Sequence, residues 1–190
     1  MMDELFDIQS TLTVLKSGGT ILYPTDTIWG IGCDATNVKA VEKIYRIKVR
    51  DHSKSLIVLV ADTDMLARYV QKVPDVAYDL MDRITEPLTI IYPHAKNLAK
   101  NALAADGSVG IRIPHDAYCH ALLKAFDRPV VSTSANISGD PNPLTFSQIS
   151  PKIKDMVDLV VPVQHSGLSV AKPSSIIRVT NDGDIQIIRS

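Results

Sequence analysis

Two cysteines in 190 residues, Cys33 and Cys119, with no Cys-x-x-Cys pair, leave nothing for a disulfide framework or a cysteine-based zinc site. A reducing compartment suits such a chain. Charge of one sign is not in excess either. Twenty Lys and Arg against 21 Asp and Glu give a formal net charge of −1, so no global basic field draws the chain to nucleic acid, and any such contact must rest on a local patch. No apolar run approaches the ~18 residues of a membrane span, and Met1-Met2-Asp3-Glu4 lacks the basic start and apolar core of a secretory signal. These absences place the chain in the cytoplasm, with no membrane contact. No internal repeat, low-complexity tract or clear linker interrupts it. The composition, 45% hydrophobic and 22% charged, suffices for one sizeable core and so for a single domain over 1–190.

Periodicity then orders the elements. Ile8, Leu12 and Leu15 stand at helical spacing before Gly18-Gly19, which predicts a helix delivering the chain to a strand at Thr20. Asn37 can cap a helix carrying Val38, Val41, Ile44, Tyr45 and Ile47, with Lys48 and Arg50 at or beyond its end. The unbroken apolar run Leu56 to Val60 reads as a strand buried on both faces, in mid-sheet. Helices follow at 65–70 and 74–84, then strands at 88–92 and 109–113, with the course of 94–108 left open by the pattern. Next come a helix at 117–126, capped by His115 or Asp116, a strand from Pro129 into a hydroxyl-rich run, and a short strand at 158–161. Segments 174–179 and 185–189 flank Asn181-Asp182-Gly183-Asp184, a hairpin signal. The fold class is α/β: a twisted mixed parallel/antiparallel sheet with flanking helices.

Three stretches depart from ordinary turn composition. Leu22 to Gly32 (Leu-Tyr-Pro-Thr-Asp-Thr-Ile-Trp-Gly-Ile-Gly) reads as a strand ended by Pro24 and a loop that presents Thr25, Asp26 and Thr27 outward, with Gly30 and Gly32 supplying loop geometry. A solvated turn with Trp29 folded onto the core accounts for the same residues. Lys48-Val49-Arg50-Asp51-His52-Ser53-Lys54 gathers three cations able to grip phosphate, although a helix C-terminus welcomes cations without any ligand. Ser132-Thr133-Ser134-Ala135-Asn136-Ile137-Ser138-Gly139 puts small donors at a strand end, as a ligand site or as a capped turn. Arg112, between Ile111 and Ile113, faces opposite to both, into a cleft or onto the wet side of an edge strand. Cys33 and Cys119 read as small core residues, and His115 and His120 match no common zinc spacing, so no metal ligands are assigned.

Taken together, the Tyr23-Pro24-Thr25-Asp26-Thr27 loop, the Lys48-x-Arg50-x-x-x-Lys54 cluster, Glu86-Pro87-Leu88-Thr89, Val109 to Pro114, Ser132 to Gly139 and Pro173 to Ile177 occur in the order that resembles the YrdC family of threonylcarbamoyl-adenylate synthases. The resemblance covers most of the chain and implies a single YrdC-like domain. It implies an ATP-dependent nucleotidyltransferase that condenses L-threonine, bicarbonate and ATP into threonylcarbamoyl-AMP and pyrophosphate, for threonylcarbamoyladenosine modification of tRNA. Such chemistry joins two anions and needs cations and aligning donors rather than a protein nucleophile. By the same resemblance Lys48 and Arg50 are the catalytic pair and bind the triphosphate with Lys54, while Ser134, Asn136, Asn142 and Arg189 hold the nucleotide. Arg112 pairs with the threonine carboxylate beside Thr27, Ser132 and Ser174. ATP arrives with Mg²⁺, held by phosphate oxygens and water, with Asp26 either contributing or capping its own loop.

Three positions depart from the family pattern. Leu59 stands where many relatives carry a threonine-contacting histidine, and Val49 and Asp51 replace the glycine and proline of Lys-Gly-Arg-Pro. A downstream tRNA threonylcarbamoyl transferase is the implied partner. The alternative is a non-catalytic module binding tRNA or double-stranded RNA, which the near-neutral charge disfavours. A carbamoyl-transfer relative of the hydrogenase-maturation type is a third reading.

Overall fold

Side chains alternate across a strand, so the pairing register decides which residues share a face. The computed structural model describes residues 2–52, 55–162 and 172–190, with side chains described from Ile8 onward. Its strands are β1 (Thr20–Tyr23), β2 (Gly30–Cys33), β3 (Ile57–Leu59), β4 (Leu88–Tyr92), β5 (Val109–Arg112), β6 (Val130–Ser134), β7 (Leu159–Val160), β8 (Ser175–Val179) and β9 (Ile185–Arg189). Among the described residues they form one sheet in the order β7-β1-β2-β6-β3-β5-β4-β8-β9. The β1/β7, β3/β5 and β4/β8 pairs are parallel and the rest antiparallel, so the sheet is mixed, as the sequence predicts.

Two adjacent rows run straight across the middle of this sheet and have opposite characters. Val131, Val58, Ile111, Ile90 and Ile177 are successive cross-strand partners, all buried, and they form the apolar face. One residue along, Leu59, Arg112, Thr89, Ile176 and Arg189 are likewise successive partners, with side chains on the other face. A third row on that second face holds Ser132, Ile57, Gly110 and Ile91. Strand alternation thus builds a hydrophobic core on one side and, on the other, a floor in which Arg112, Thr89, Arg189, Ser132 and Gly110 are interspersed with Leu59 and three isoleucines.

The flanking helices are α1 (Met2–Lys16), α2 (Val38–Lys48), α3 (Thr63–Tyr69), α4 (Asp75–Arg83), α5 (Ala117–Phe126) and α6 (Pro151–Met156). Asn37 Oδ1 accepts from the Lys39 and Ala40 amides to cap α2, and Asp116 Oδ1 accepts from the Cys119 amide to cap α5, a role for Asp116 rather than His115. The open stretch 94–108 contains one 3₁₀ turn at Lys100–Ala102. None of the helices is long and apolar enough to cross a membrane.

Three expectations change. Gly30 and Gly32 lie in β2 rather than in a loop, and the reason for glycine is space: a Cβ on Gly32 would sit 2.5 Å from the Val131 carbonyl oxygen and 2.8 Å from the Tyr23 ring. The Ser132 to Ser134 hydroxyls belong to β6 itself rather than to a segment beyond the strand. Thr25, Asp26 and Thr27 do not point outward. Thr27 is buried, and the Thr25 hydroxyl turns in to donate to Ile28 O at 2.7 Å and accept from the Thr27 amide at 3.2 Å.

Candidate active site

The floor opens into a cavity of about 300 Å³, walled by the 24–29 loop, the β3 entry and the β8 entry. Thr27, Arg50, Arg112, Ser132, Ser134, Asn142, Ser174 and Arg189, all singled out from the sequence, line it. Arg112 and Arg189 arrive together because both belong to the same cross-strand row. Among the described residues that line it there is no carboxylate, thiol or imidazole. The cavity therefore offers guanidinium groups, hydroxyls and one amide, a donor set suited to anions.

Each guanidinium is anchored differently. Arg50 Nη2 donates to Ser55 O at 2.9 Å, and burial lowers its pKa. Arg189 reaches across from the outermost strand, its Nε and Nη2 both donating to Ser174 O at 3.1 and 2.6 Å, and burial lowers its pKa as well. Arg112 Nη1 donates to Asp26 Oδ1 at 2.5 Å, an ion pair in which the two side chains are only 4% and 9% exposed. Asp26 therefore neither caps its own loop nor lines the cavity. The Ser174 hydroxyl bonds the Thr89 hydroxyl at 2.8 Å, which fixes a polar step between the two arginines.

Lys48 and Asn136 are the two described candidates that the cavity wall does not include. The Lys48 ammonium points instead behind β6, donating to Ser134 O at 2.5 Å, Asn136 O at 2.7 Å and Asn136 Oδ1 at 3.2 Å. Asn136 in turn accepts from Ser134 Oγ at 2.5 Å and donates to Asp140 O at 2.6 Å. Burial, with Arg50 adding repulsion, pulls the Lys48 pKa down to about 7. Val49 explains why neighbouring cations diverge: it ends α2 in the left-handed region, φ 49° and ψ 46°, and turns the chain between Lys48 and Arg50. A β-branched residue is strained there. Lys54 lies outside the described residues.

Other candidates fall away. Cys33 and Cys119 are buried thiols whose pKa values are raised by desolvation, the opposite of an activated nucleophile. Among the described residues no group of three or more His, Cys, Asp and Glu is placed to hold a metal ion. Thr89 and Ser55 line the cavity without having been assigned to it. The alternation of β4 carries the signal for Thr89, but only once Arg112 is known to be its partner.

A family model named Sua5_yciO_yrdC and described as "Telomere recombination" matches residues 13–190. The chain belongs to the Sua5/YciO/YrdC family. A relative from Psychromonas ingrahamii, called threonylcarbamoyl-AMP synthase, is 33% identical over 86% of this chain and 88% of its own. The solved structure of Escherichia coli YciO superposes with a TM-score of 0.84 at 27% identity, covering 98% of this chain and 89% of that one. Pyrococcus abyssi Sua5, solved in complex with L-threonine, shares the fold at a TM-score of 0.83 and 24% identity, over 90% of this chain and 50% of its own. The chain thus spans about half the length of that Sua5. Within this family frame two of the three departures acquire places. Val49 is the strained end of α2, and Leu59 is buried next to Arg112 in the cross-strand row without reaching the cavity.

Proposed function

We propose that this chain is an L-threonylcarbamoyladenylate synthase, joining L-threonine, bicarbonate and MgATP into threonylcarbamoyl-AMP with release of pyrophosphate. The observation that carries the reading is the convergence of Arg50, Arg112 and Arg189 on one cavity lined as well by the hydroxyls of Thr27, Ser132, Ser134 and Ser174. The name of the Psychromonas relative supports the same chemistry.

The threonine amine and bicarbonate form an N-carboxy species with loss of one water, and its carboxylate oxygen then attacks the α-phosphorus in line as the bond to pyrophosphate breaks. Both reactants are anions, so the protein contributes alignment and compensating charge. Arg50, with Lys54, takes the triphosphate; Ser134, Asn142 and, through the loop it braces, Asn136 hold the nucleotide; Arg189 closes over it. Arg112 pairs with the threonine carboxylate between Thr27, Ser132 and Ser174. Lys48 supports this from behind the wall, adding positive potential and fixing the Ser134 carbonyl. Mg²⁺ enters as part of the nucleotide substrate, held by phosphate oxygens and water. The labile mixed anhydride is handed to a transferase acting on tRNA. A concave cavity of this size suits small anions better than the broad surface that an RNA duplex needs.

Pyrophosphate release measured with threonine, serine or no amino acid, each with and without bicarbonate, tests the reading. Release is expected only when threonine and bicarbonate are both present. Turnover indifferent to threonine, or RNA binding with no turnover, overturns it.

A further inference from the structure

Asp26 has no role in the reaction as set out above, yet it is the most constrained polar group next to the cavity. Its Oδ1 accepts from Arg112 Nη1 at 2.5 Å and its Oδ2 accepts from the His115 amide at 3.0 Å. Its own amide donates to Asp116 Oδ2 at 3.1 Å, while Asp116 Oδ1 accepts from the Cys119 amide at 2.8 Å and so caps α5. One carboxylate oxygen and the backbone amide of Asp26 are therefore tied to the residues that open α5, His115 and Asp116, neither of which lines the cavity, while the other oxygen holds Arg112. Among the described residues the Arg112 guanidinium has one hydrogen-bond partner, Asp26, which it meets through Nη1.

We infer that Asp26 is a positioning residue for the amino-acid substrate: it clamps one nitrogen of Arg112 so that the rest of the guanidinium fork faces the cavity in a fixed plane. A carboxylate binds such a fork best along two parallel N–H groups, so a guanidinium free to swing loses that match. Asp26 also compensates a cation that would otherwise be buried alone. The inference rests on the assignment of Arg112 to the threonine carboxylate.

Threonine and ATP titrations of pyrophosphate release on Asp26→Asn, Asp26→Glu, Arg112→Gln and the Asp26→Asn/Arg112→Gln double variant test it. Asp26→Asn is expected to raise the threonine KM about tenfold and leave the ATP KM within about twofold, because the clamp acts on one substrate only. Asp26→Glu, which keeps the charge but moves the oxygens, is expected to fall between, and it serves alone should the Asn variant not fold. In the Arg112→Gln background the Asp26→Asn change is expected to shift the threonine KM by less than about twofold, since a clamp with nothing to hold has no effect. Equal shifts in both KM values, a threonine KM unchanged in the Asp26 variants, or the full tenfold shift persisting without Arg112 overturns the clamp. A wild-type threonine KM in Arg112→Gln alone overturns the assignment of Arg112 instead, and threonine-independent wild-type release overturns the proposed reaction.

Discussion

Lys48 and Arg112 are both cations hidden almost entirely from water, at 1% and 4% exposure, and the chain treats their charges differently. Arg112 has a formal counter-charge in Asp26. Among the described residues the Lys48 ammonium donates to neutral oxygens, two carbonyls and a side-chain amide. Dipoles replace lost hydration less completely than an opposite charge does, which is why burial drags the lysine down to about 7. The contrast teaches that the two ends of the site are built for different tasks: a permanent, oriented charge at Arg112 and a charge at Lys48 that responds to its surroundings near neutral pH.

The largest way to break this contrast is Arg112→Ala, which strands the Asp26 carboxylate. Loss of about 3–5 kcal/mol is expected, read as a fall in the denaturant midpoint at constant slope. Lys48→Met removes the donor shared by three oxygens and should lose about 1–3 kcal/mol together with ATP affinity, as measured by denaturation and calorimetry. Next comes pH. The folded-state pKa of Lys48 lies below its unfolded value, so the stability penalty of the buried ammonium is complete below about pH 7 and is relieved as pH rises from there toward the ordinary lysine range. A bound polyanion favours the protonated form. ATP binding above pH 7 is therefore expected to take up a proton, with affinity falling up to about tenfold per pH unit. Calorimetry in buffers of different ionisation enthalpy reads the uptake, and Lys48→Met should abolish it. The smallest effect is expected at Val49→Gly, which relieves the left-handed strain between Lys48 and Arg50 and should raise stability by about 0.5–1 kcal/mol in thermal unfolding.

Much of this arrangement was legible from local pattern. Ile111-Arg112-Ile113 placed the arginine opposite the core, and the Leu56 to Val60 run gave a central strand, because both follow from alternation and burial within one segment. The hairpin of β8 and β9 was legible from its turn residues. β2 was not. Gly-Ile-Gly-Cys carries loop residues, and the need for them is set by Tyr23 and Val131, one of which lies about a hundred positions away. Lys48 was misdirected for a related reason: its position at a helix end is local information, but the Ser134 and Asn136 oxygens that capture it come from β6 and the turn after it. Asp26 shows the same limit, since its partners His115 and Asp116 are joined to it only by the packing of α5.

Arg189 belongs to the outermost strand of the sheet, where every residue from Ile185 to Arg189 is exposed, whereas Arg112 is fixed at the centre. One jaw of the cavity is thus mounted on the fringe of the molecule and the other on its keel. A nucleotide lodged between them would stitch the fringe down, so saturation should slow amide exchange over 185–189 far more than in β6, and product would leave at the tempo with which that outer hairpin lifts.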